Sequence, residues 1–411
     1  MKSSILRAHG LVLCVTLSAA AASTHAQTPK APATVGTKPM SIQMAESVMA
    51  RDPDPLTLDA ARPSWNYTQG LILKGMIAAS QKSGDPRFFN YAQKYYDYFV
   101  NADGTIKTYT IDEYSVDRIN AGKGFFPIYA KTKEEKYKKA ADLLRSQMKT
   151  HPRTKEGGFW HKKRYPNQMW LDGLYMASPF LAEYAVTFNE PAMLDDIANQ
   201  FVWMENHARD PKTGLLYHGW DESRQQKWSD PKTGLSKEFW GRAVGWYAMA
   251  LVDVLDFYPK NHPRRAELIA ILGRLVDAVA KVQDPKSGVF WQVMDKGGKE
   301  GNYLESSASV MFAYSFMKGA RLGYSDAKSG KLGRAIYEGV LKEFITRDDK
   351  GVVTITRGCA VAGLGGDPNP DGSGYRDGTY DYYVKEKIRD NDPKAVGPFI
   401  LASLEFETST R

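Results

Sequence analysis

The 411-residue sequence has almost no cysteine: two residues, Cys14 and Cys359. Cys14 falls in an N-terminal leader considered below, which leaves one thiol and excludes an internal disulfide. Export without disulfides suits a bacterial periplasm and requires a large apolar core. Several chemical signatures are also missing. There is no His-Glu-x-x-His pair, no clustered cysteines, no phosphate-cradling loop and no dinucleotide glycine fingerprint. The run from Gly363 to Gly366 is glycine-rich but is not followed by Lys-Ser or Lys-Thr. Seven histidines are scattered, so no metal and no cofactor is expected. After residue 26 no run of about 18 apolar residues occurs, so no membrane span is expected. No basic arm or nucleic-acid module is present, so no nucleic-acid partner is expected.

What is present begins with a leader. Lys2 and Arg7 precede an apolar stretch, Leu11–Ala22, and Thr24-His25-Ala26 offers a cleavage site before Gln27. Residues 1–26 read as a secretory signal peptide, which implies a periplasmic or secreted protein. Residues 27–40, rich in Pro, Thr and Ala, read as a disordered leader. Residues 41–411 contain no Pro/Gly/Ser-rich linker and read as a single domain. The formal charge of +8 falls to +6 without Lys2 and Arg7. That mild basic excess suits an anionic ligand, although a lysine-rich soluble surface accounts for it at least as well.

The aromatic content is more informative, with 9 Trp and 23 Tyr. Many lie beside Gly, His, Arg and Asp in short loops rather than in apolar runs. Sugar-binding clefts use flat apolar faces flanked by polar groups, while core packing claims the remaining rings. Helical periodicity dominates elsewhere. Leu171, Leu174, Ser178, Leu181 and Ala185 follow the i, i+3, i+4 rule, and Trp246, Met249, Ala250, Val252 and Leu255 nearly do. Residues 133–149 predict a helix that is polar on one side. Strand candidates are few: Val352–Thr356 and Val289–Val293.

One loop theme recurs between the helices. Glycines 104, 158, 214, 288 and 351 each precede a short apolar or aromatic run, at spacings of 54, 56, 74 and 63 residues. Each interval holds two helices of ordinary length, which suggests stacked helical hairpins with their loops gathered at one end.

Candidate chemistry falls in four places. Asp172 lies at the start of a helix whose apolar period begins near Met169, beside Trp170. Burial there would suit a proton donor, although the helix dipole alone accounts for an aspartate at that position. Asp117 lies in a polar stretch, Asp112–Gly122, read as a loop; it is either a solvated turn residue or the partner carboxylate of Asp172. His218 sits in Tyr217-His218-Gly219-Trp220-Asp221-Glu222, where it could bond a sugar oxygen or hold water. Trp240, Arg242 and Trp246 open a later helix, and two indoles around a guanidinium suit a planar ring bearing a carboxylate.

At these residues the sequence resembles the unsaturated rhamnogalacturonyl hydrolases of glycoside hydrolase family 105. The matching blocks include Trp170-Leu171-Asp172-Gly173-Leu174-Tyr175-Met176-Ala177, Tyr217-His218-Gly219-Trp220-Asp221 and Trp240-Gly241-Arg242 through Gly245-Trp246. Glu305-Ser306-Ser307-Ala308 and Asn391-Asp392-Pro393-Lys394 through Gly397-Pro398-Phe399 complete the set. The resemblance runs through most of the chain and implies an all-α (α/α)6 barrel with short β elements in its loops. It implies that Asp172 is the general acid/base and Asp117 a second acid. His161, His218, Arg242, Trp240 and Trp246, with Tyr67 and Trp170, match substrate-binding positions. Two departures bear on specificity. Ala243-Val244 stands where the family often has Gly-Asn, and Glu305-Ser306-Ser307 replaces the commoner Glu-Thr-Ser.

The activity implied is removal of a terminal 4,5-unsaturated uronic acid from an oligosaccharide made by a lyase, of pectin type. Protonation at C4 of the vinyl ether is followed by addition of water at C5. No metal or cofactor is needed, because an enol ether is already reactive toward acid. The expected partner is the unsaturated oligosaccharide, and the expected state a monomer or weak oligomer. Three alternatives stay open: an unsaturated glucuronyl hydrolase acting on glycosaminoglycan fragments, an inverting glucanase on an α/α barrel, and a non-catalytic sugar-binding protein.

Overall fold

Two kinds of helix build the molecule, and burial separates them. Some are buried almost all round, as a helix inside a larger core must be; others bury one stripe and face water with the rest. A computed structural model describes residues 38–366 and 374–408. Among them are α1 (Met40–Arg51), α2 (Tyr67–Ser83), α3 (Pro86–Phe99), α4 (Asp117–Asn120), α5 (Phe125–Thr132), α6 (Glu135–Thr150) and α7 (Leu171–Thr187). There follow α8 (Met193–Ala208), α9 (Gly241–Val254), α10 (Arg265–Ala280), α11 (Ser306–Arg321), α12 (Ala327–Phe344), α13 (Tyr380–Lys385) and α14 (Pro393–Thr408). The expected signal peptide lies outside the described residues, as does most of the expected leader. The expected boundary at residue 40 moves: Lys38 and Pro39 are described, and α1 already begins at Met40.

The buried helices form a closed inner ring. It runs α2, then α4 with the 3-10 turn Ala121–Gly124 and α5, then α7, α9, α11 and α14, and α14 packs back against α2. Every residue of α9 is buried. Outside it α3, α6, α8, α10 and α12 pack on α2, α5, α7, α9 and α11, and α1 packs on α14. These outer helices are amphipathic; α3 buries Phe88, Phe89, Tyr91, Ala92, Tyr95, Tyr96 and Phe99. The result is the expected (α/α)6 barrel. The recurrent loops follow the outer helices α3, α6, α8, α10 and α12 and feed the mouth where the inner helices begin. Four of their glycines, Gly104, Gly214, Gly288 and Gly351, have φ between 75° and 88°, which is why glycine recurs there.

Short antiparallel ribbons decorate that mouth. The strand expected at 352–356 is found at Val353–Ile355, paired with Ile345–Arg347. The strand expected at 289–293 does not form. Its groups are shared among Ser309, Tyr303 and Asn302, leaving only the isolated bridges Trp291↔Leu304 and Trp240↔Val293. The helix expected from Met169 starts instead at Leu171, because Gln168–Trp170 is drawn into a ribbon with Gly219–Asp221. The stretch read as a polar loop around Asp117 is helical from that residue onward.

Close approach fixes the seam between α2 and the Asp117 segment. A Cβ on Gly70 would sit 2.5 Å from Ala121 Cα, so only glycine fits. Gly70→Ala is expected to destabilise the fold by about 1–3 kcal/mol through overpacking. Denaturant unfolding checks this; an unchanged midpoint would show that the seam can open freely.

Candidate active site

The inner helices all begin at the same end, and each start carries a polar side chain: Tyr67, Asp117, Asp172, Arg242, the Glu305 cap and the residue before α14, Asp392. This end is lined in part by a cavity of about 710 Å³ between Tyr67, Asp117, Arg118 and the Lys162–Arg164 loop.

Asp172 is the second residue of α7, and its side chain is 13% exposed. The strand before it, Gln168–Trp170, pairs antiparallel with Gly219–Asp221, and Leu171 N–H donates to the His218 carbonyl. This pairing sets His218 Nε2 3.1 Å from Asp172 Oδ2. The two atoms are close but not aligned as a hydrogen bond, and each is buried without another protein partner. The far nitrogen of the ring, Nδ1, is 2.7 Å from Tyr383 Oη. Burial holds the Tyr383 phenol well above its ordinary value, so it keeps its proton.

Asp117 opens α4. Its Oδ2 is 2.5 Å from Lys162 Nζ and its Oδ1 3.4 Å from His161 Nε2. Burial works against the charge, but Lys162 and His161 outweigh it and hold the carboxyl below its ordinary value, so it is ionised. His161 behaves in the opposite way. Burial pushes its pKa down to about 4 despite the pull of Asp117, so the ring is neutral at pH 7. The ring stacks on Trp170 at 4.3 Å, and Trp170 stacks in turn on Tyr165. Gly173 leaves the room, since a Cβ there would lie 3.2 Å from His161 Nδ1.

Tyr67 is held at the start of α2 by its Asn66 cap. Burial first, then the charges of Asp117, Asp392 and Asp172, push its hydroxyl well up, with Arg242 opposing. Its proton therefore stays on across the physiological range. Trp240 donates from Nε1 to Gln292 at 3.1 Å and lies against His218 and Tyr383.

Arg242 is fully buried two residues into α9, where the helix dipole disfavours a cation. It is held by the Cys359 carbonyl, with Ser307 Oγ at 3.5 Å. Burial opposes its charge, yet the carboxylates of Asp392 and Glu305 keep it protonated. Its Nε, Asp392 Oδ2 and Ser306 Oγ are buried without a hydrogen-bond partner, like the Asp172 and His218 atoms above, although Arg389 Nε lies 3.6 Å from Asp392 Oδ2. Such orphaned polar atoms are rare in proteins, and these five gather at the mouth. Trp246 lies one turn deeper on the face of Arg242, stacked on Tyr175 at 4.8 Å inside the barrel.

Two residues of this group escape sequence reasoning. Lys162 was visible only as the neighbour of His161. Tyr383 lies 165 positions from His218 on the short helix α13, and no local pattern announces it. Among the described residues no group of three His, Cys, Asp or Glu side chains could hold a metal ion.

The model of Glycosyl Hydrolase Family 88 matches residues 40–410. A solved family 105 glycoside hydrolase from Clostridium acetobutylicum superposes with a TM-score of 0.86 at 44% identity, covering 90% of this chain and all of that one. The chain belongs to the glycoside hydrolases of family 88/105. The 24.9 kDa protein in the picA locus of Rhizobium radiobacter is 41% identical over 234 residues, 56% of this chain and 97% of that protein. The unsaturated rhamnogalacturonyl hydrolase YesR of Bacillus subtilis is 26% identical over 265 residues, 63% of this chain and 72% of that enzyme. The catalytic residues of this glycoside hydrolase are therefore to be sought among the side chains at its mouth.

The Asp117–Lys162 pair makes the site pH-sensitive with a definite sign. A carboxyl with a depressed folded pKa contributes stability above its unfolded value and loses it as pH falls through the folded one. Lys162→Met removes the strongest counter-charge and leaves the burial. The acid limb of the activity–pH profile is expected to move to higher pH; a limb that stays in place would show that Asp117 does not set it.

Proposed function

We propose that this glycoside hydrolase removes a terminal 4,5-unsaturated uronic acid from lyase-generated oligosaccharides, derived from pectin or rhamnogalacturonan. The observation that carries the reading is Asp172: nearly buried at a helix start, 3.1 Å from a buried histidine, among orphaned polar atoms. The 44% identity to a family 105 enzyme over nine-tenths of the chain supports it, as does the similarity to an unsaturated rhamnogalacturonyl hydrolase.

The chemistry follows from an acid beside a polarised double bond. Asp172 in its acid form gives a proton to C4, the π electrons of C4=C5 form the new C4–H bond, and positive charge develops at C5 and the ring oxygen. Water adds at C5 and returns a proton to the Asp172 carboxylate. The C5–ring oxygen bond then breaks to leave a ketone at C5, and the hemiacetal at C1 releases the second sugar. One water is consumed. His218, fixed through Tyr383, orients the Asp172 carboxyl and the water. Ionised Asp117 stabilises the developing cation and holds sugar hydroxyls. Arg242, with the starts of α2, α7, α9, α11 and α14 around it, sets a positive potential for the uronate carboxylate. Trp170 and Trp240 supply flat walls for the ring.

A second reading rests on the basic rim. Arg118, Lys162, Lys163 and Arg164 line the mouth cavity, which would suit a charged or sulfated second sugar, as in glycosaminoglycan fragments. Asp112 and Glu113 line it too, and Arg118 and Lys162 are paired with Glu113 and Asp117. The mixed charge favours a neutral second sugar.

We also propose export, with cleavage before Gln27, which the mass of the mature N-terminus checks. Loss of ultraviolet absorbance from unsaturated disaccharides tests the activity, with rhamnose-linked and sulfated hexosamine-linked substrates side by side. The rhamnose-linked substrate should be consumed faster. Asp172→Asn should slow turnover by about 10²–10⁴-fold, the range for a lost general acid. Near wild-type turnover in that variant would remove Asp172 from the chemistry.

A further inference from the structure

Pro179 lies inside α7. Proline has no N–H, so the Tyr175 carbonyl, four residues earlier, loses its helical partner. That carbonyl is buried, and a buried orphan is costly. It is not left unpaired: Lys123 Nζ, from the next element of the ring, donates to it at 2.7 Å. The same amine donates to Asn120 Oδ1 at 2.6 Å. Asn120 Nδ2 in turn donates to the Tyr67 carbonyl at 3.0 Å.

Each end of this chain is one turn from the site. Tyr175 is three residues after Asp172 on α7, Asn120 is three after Asp117 on α4, and Tyr67 opens α2. Lys123 is 7% exposed and borders a cavity of about 630 Å³ that Lys74, Glu183 and Asp253 also line. Burial, with the like charge of Lys74, drives its amine well below the ordinary lysine value. Lys123 Nζ also lies 3.5 Å from the centroid of the Tyr175 ring, so the amine is fixed against α7 by ring and carbonyl together.

We infer that Lys123 is a positioning residue: it ties the helices carrying Asp172, Asp117 and Tyr67 together and so fixes how the two carboxylates face one substrate. The inference rests on the reading of Asp172 and Asp117 as the reacting pair. It accounts for the coincidence of a proline within α7 and a buried lysine opposite it. Misplacing catalytic groups by a fraction of an ångström lowers turnover more than binding.

The test uses the full-length mature enzyme and unsaturated disaccharide. Lys123→Met should lower kcat by about tenfold to a hundredfold, while KM changes little. Pro179→Ala restores an N–H to the Tyr175 carbonyl within α7 and should leave kcat unchanged. The pair Lys123→Met with Pro179→Ala should regain the melting temperature lost by Lys123→Met but not its kcat. Recovery of both would show that the lysine merely satisfies a carbonyl and would overturn the proposal. So would an unchanged kcat in folded Lys123→Met. Should Lys123→Met not fold, Asn120→Leu cuts the other arm: a kcat loss with KM held supports the strut, and wild-type kcat overturns it. Asp172→Asn is run in parallel. If it stays active, the site reading and the strut fall together; an active Lys123→Met beside an inactive Asp172→Asn sinks the strut alone.

Discussion

The antiparallel pairing of Gln168–Trp170 with Gly219–Asp221 is the joint on which the site depends. Six residues in two strands would be marginal alone. Here the ribbon is buried throughout and continues directly into α7 through the bond from Leu171 N–H to the His218 carbonyl. Register then decides everything downstream. A slip of one residue would turn every side chain to the opposite face. His218 would leave Asp172, and Trp170 would leave the His161 ring. Asp221 locks that register from the far end of Gly219–Asp221, its fully buried carboxylate accepting from Ser223, Gln225 and Gln226 backbone N–H groups.

Around that joint the barrel sets opposing electrostatic demands. Inner helices that start at one mouth make it positive, which suits carboxylates and anionic substrate. Asp117 and Asp172 are at home there. Arg242 is not, and it is stabilised by groups brought from other helices rather than by its own. His161 resolves a similar conflict differently: it stays neutral beside Asp117 because burial exceeds attraction. Lys162, only partly buried, makes the closer contact at 2.5 Å and is the effective counter-ion. The two carboxylates thus differ in their partners: Asp117 is ionised against Lys162 with His161 beside it, while Asp172 lies 3.1 Å from His218.

Much of this was legible in the sequence, and the limits have physical causes. Periodicity finds α6, α7 and α9 because apolar spacing is a local property. The Asp-Pro-Lys-Thr-Gly loop is legible because its own Asp210 carboxylate binds Thr213, and Asp284 repeats the device with Ser287. The helix start expected near Met169 overlaps the strand Gln168–Trp170, whose partner, Gly219–Asp221, is distant in sequence and equally short. Val289–Val293 has strand-like composition, but its hydrogen bonds go to Asn302, Tyr303 and the α11 residue Ser309. Asp172 and Asp117 could be nominated as acids from the family resemblance, yet each had a plainer local explanation. What separates the readings, His218 against Asp172 and Lys162 against Asp117, is tertiary. Trp246 shows the converse: its motif is shared with Arg242, but its ring packs on Tyr175 inside the barrel.

The lone thiol of the described chain is a case where backbone, not side chain, carries the constraint. Glu305 caps α11 and also accepts the Cys359 N–H, while the Cys359 carbonyl accepts from Arg242. One peptide segment is therefore clamped between the acid that starts one inner helix and the cation that starts another. The sulfur has a lesser part. It is fully buried, and burial pushes its pKa up, against the pull of Arg242. Only the thiolate is a nucleophile, so this environment suppresses reactivity. The placement of Cys359 beside Arg242 is explained by its amide and carbonyl. Any small side chain that fills the same space would hold the guanidinium equally well, because the groups that hold it belong to the main chain.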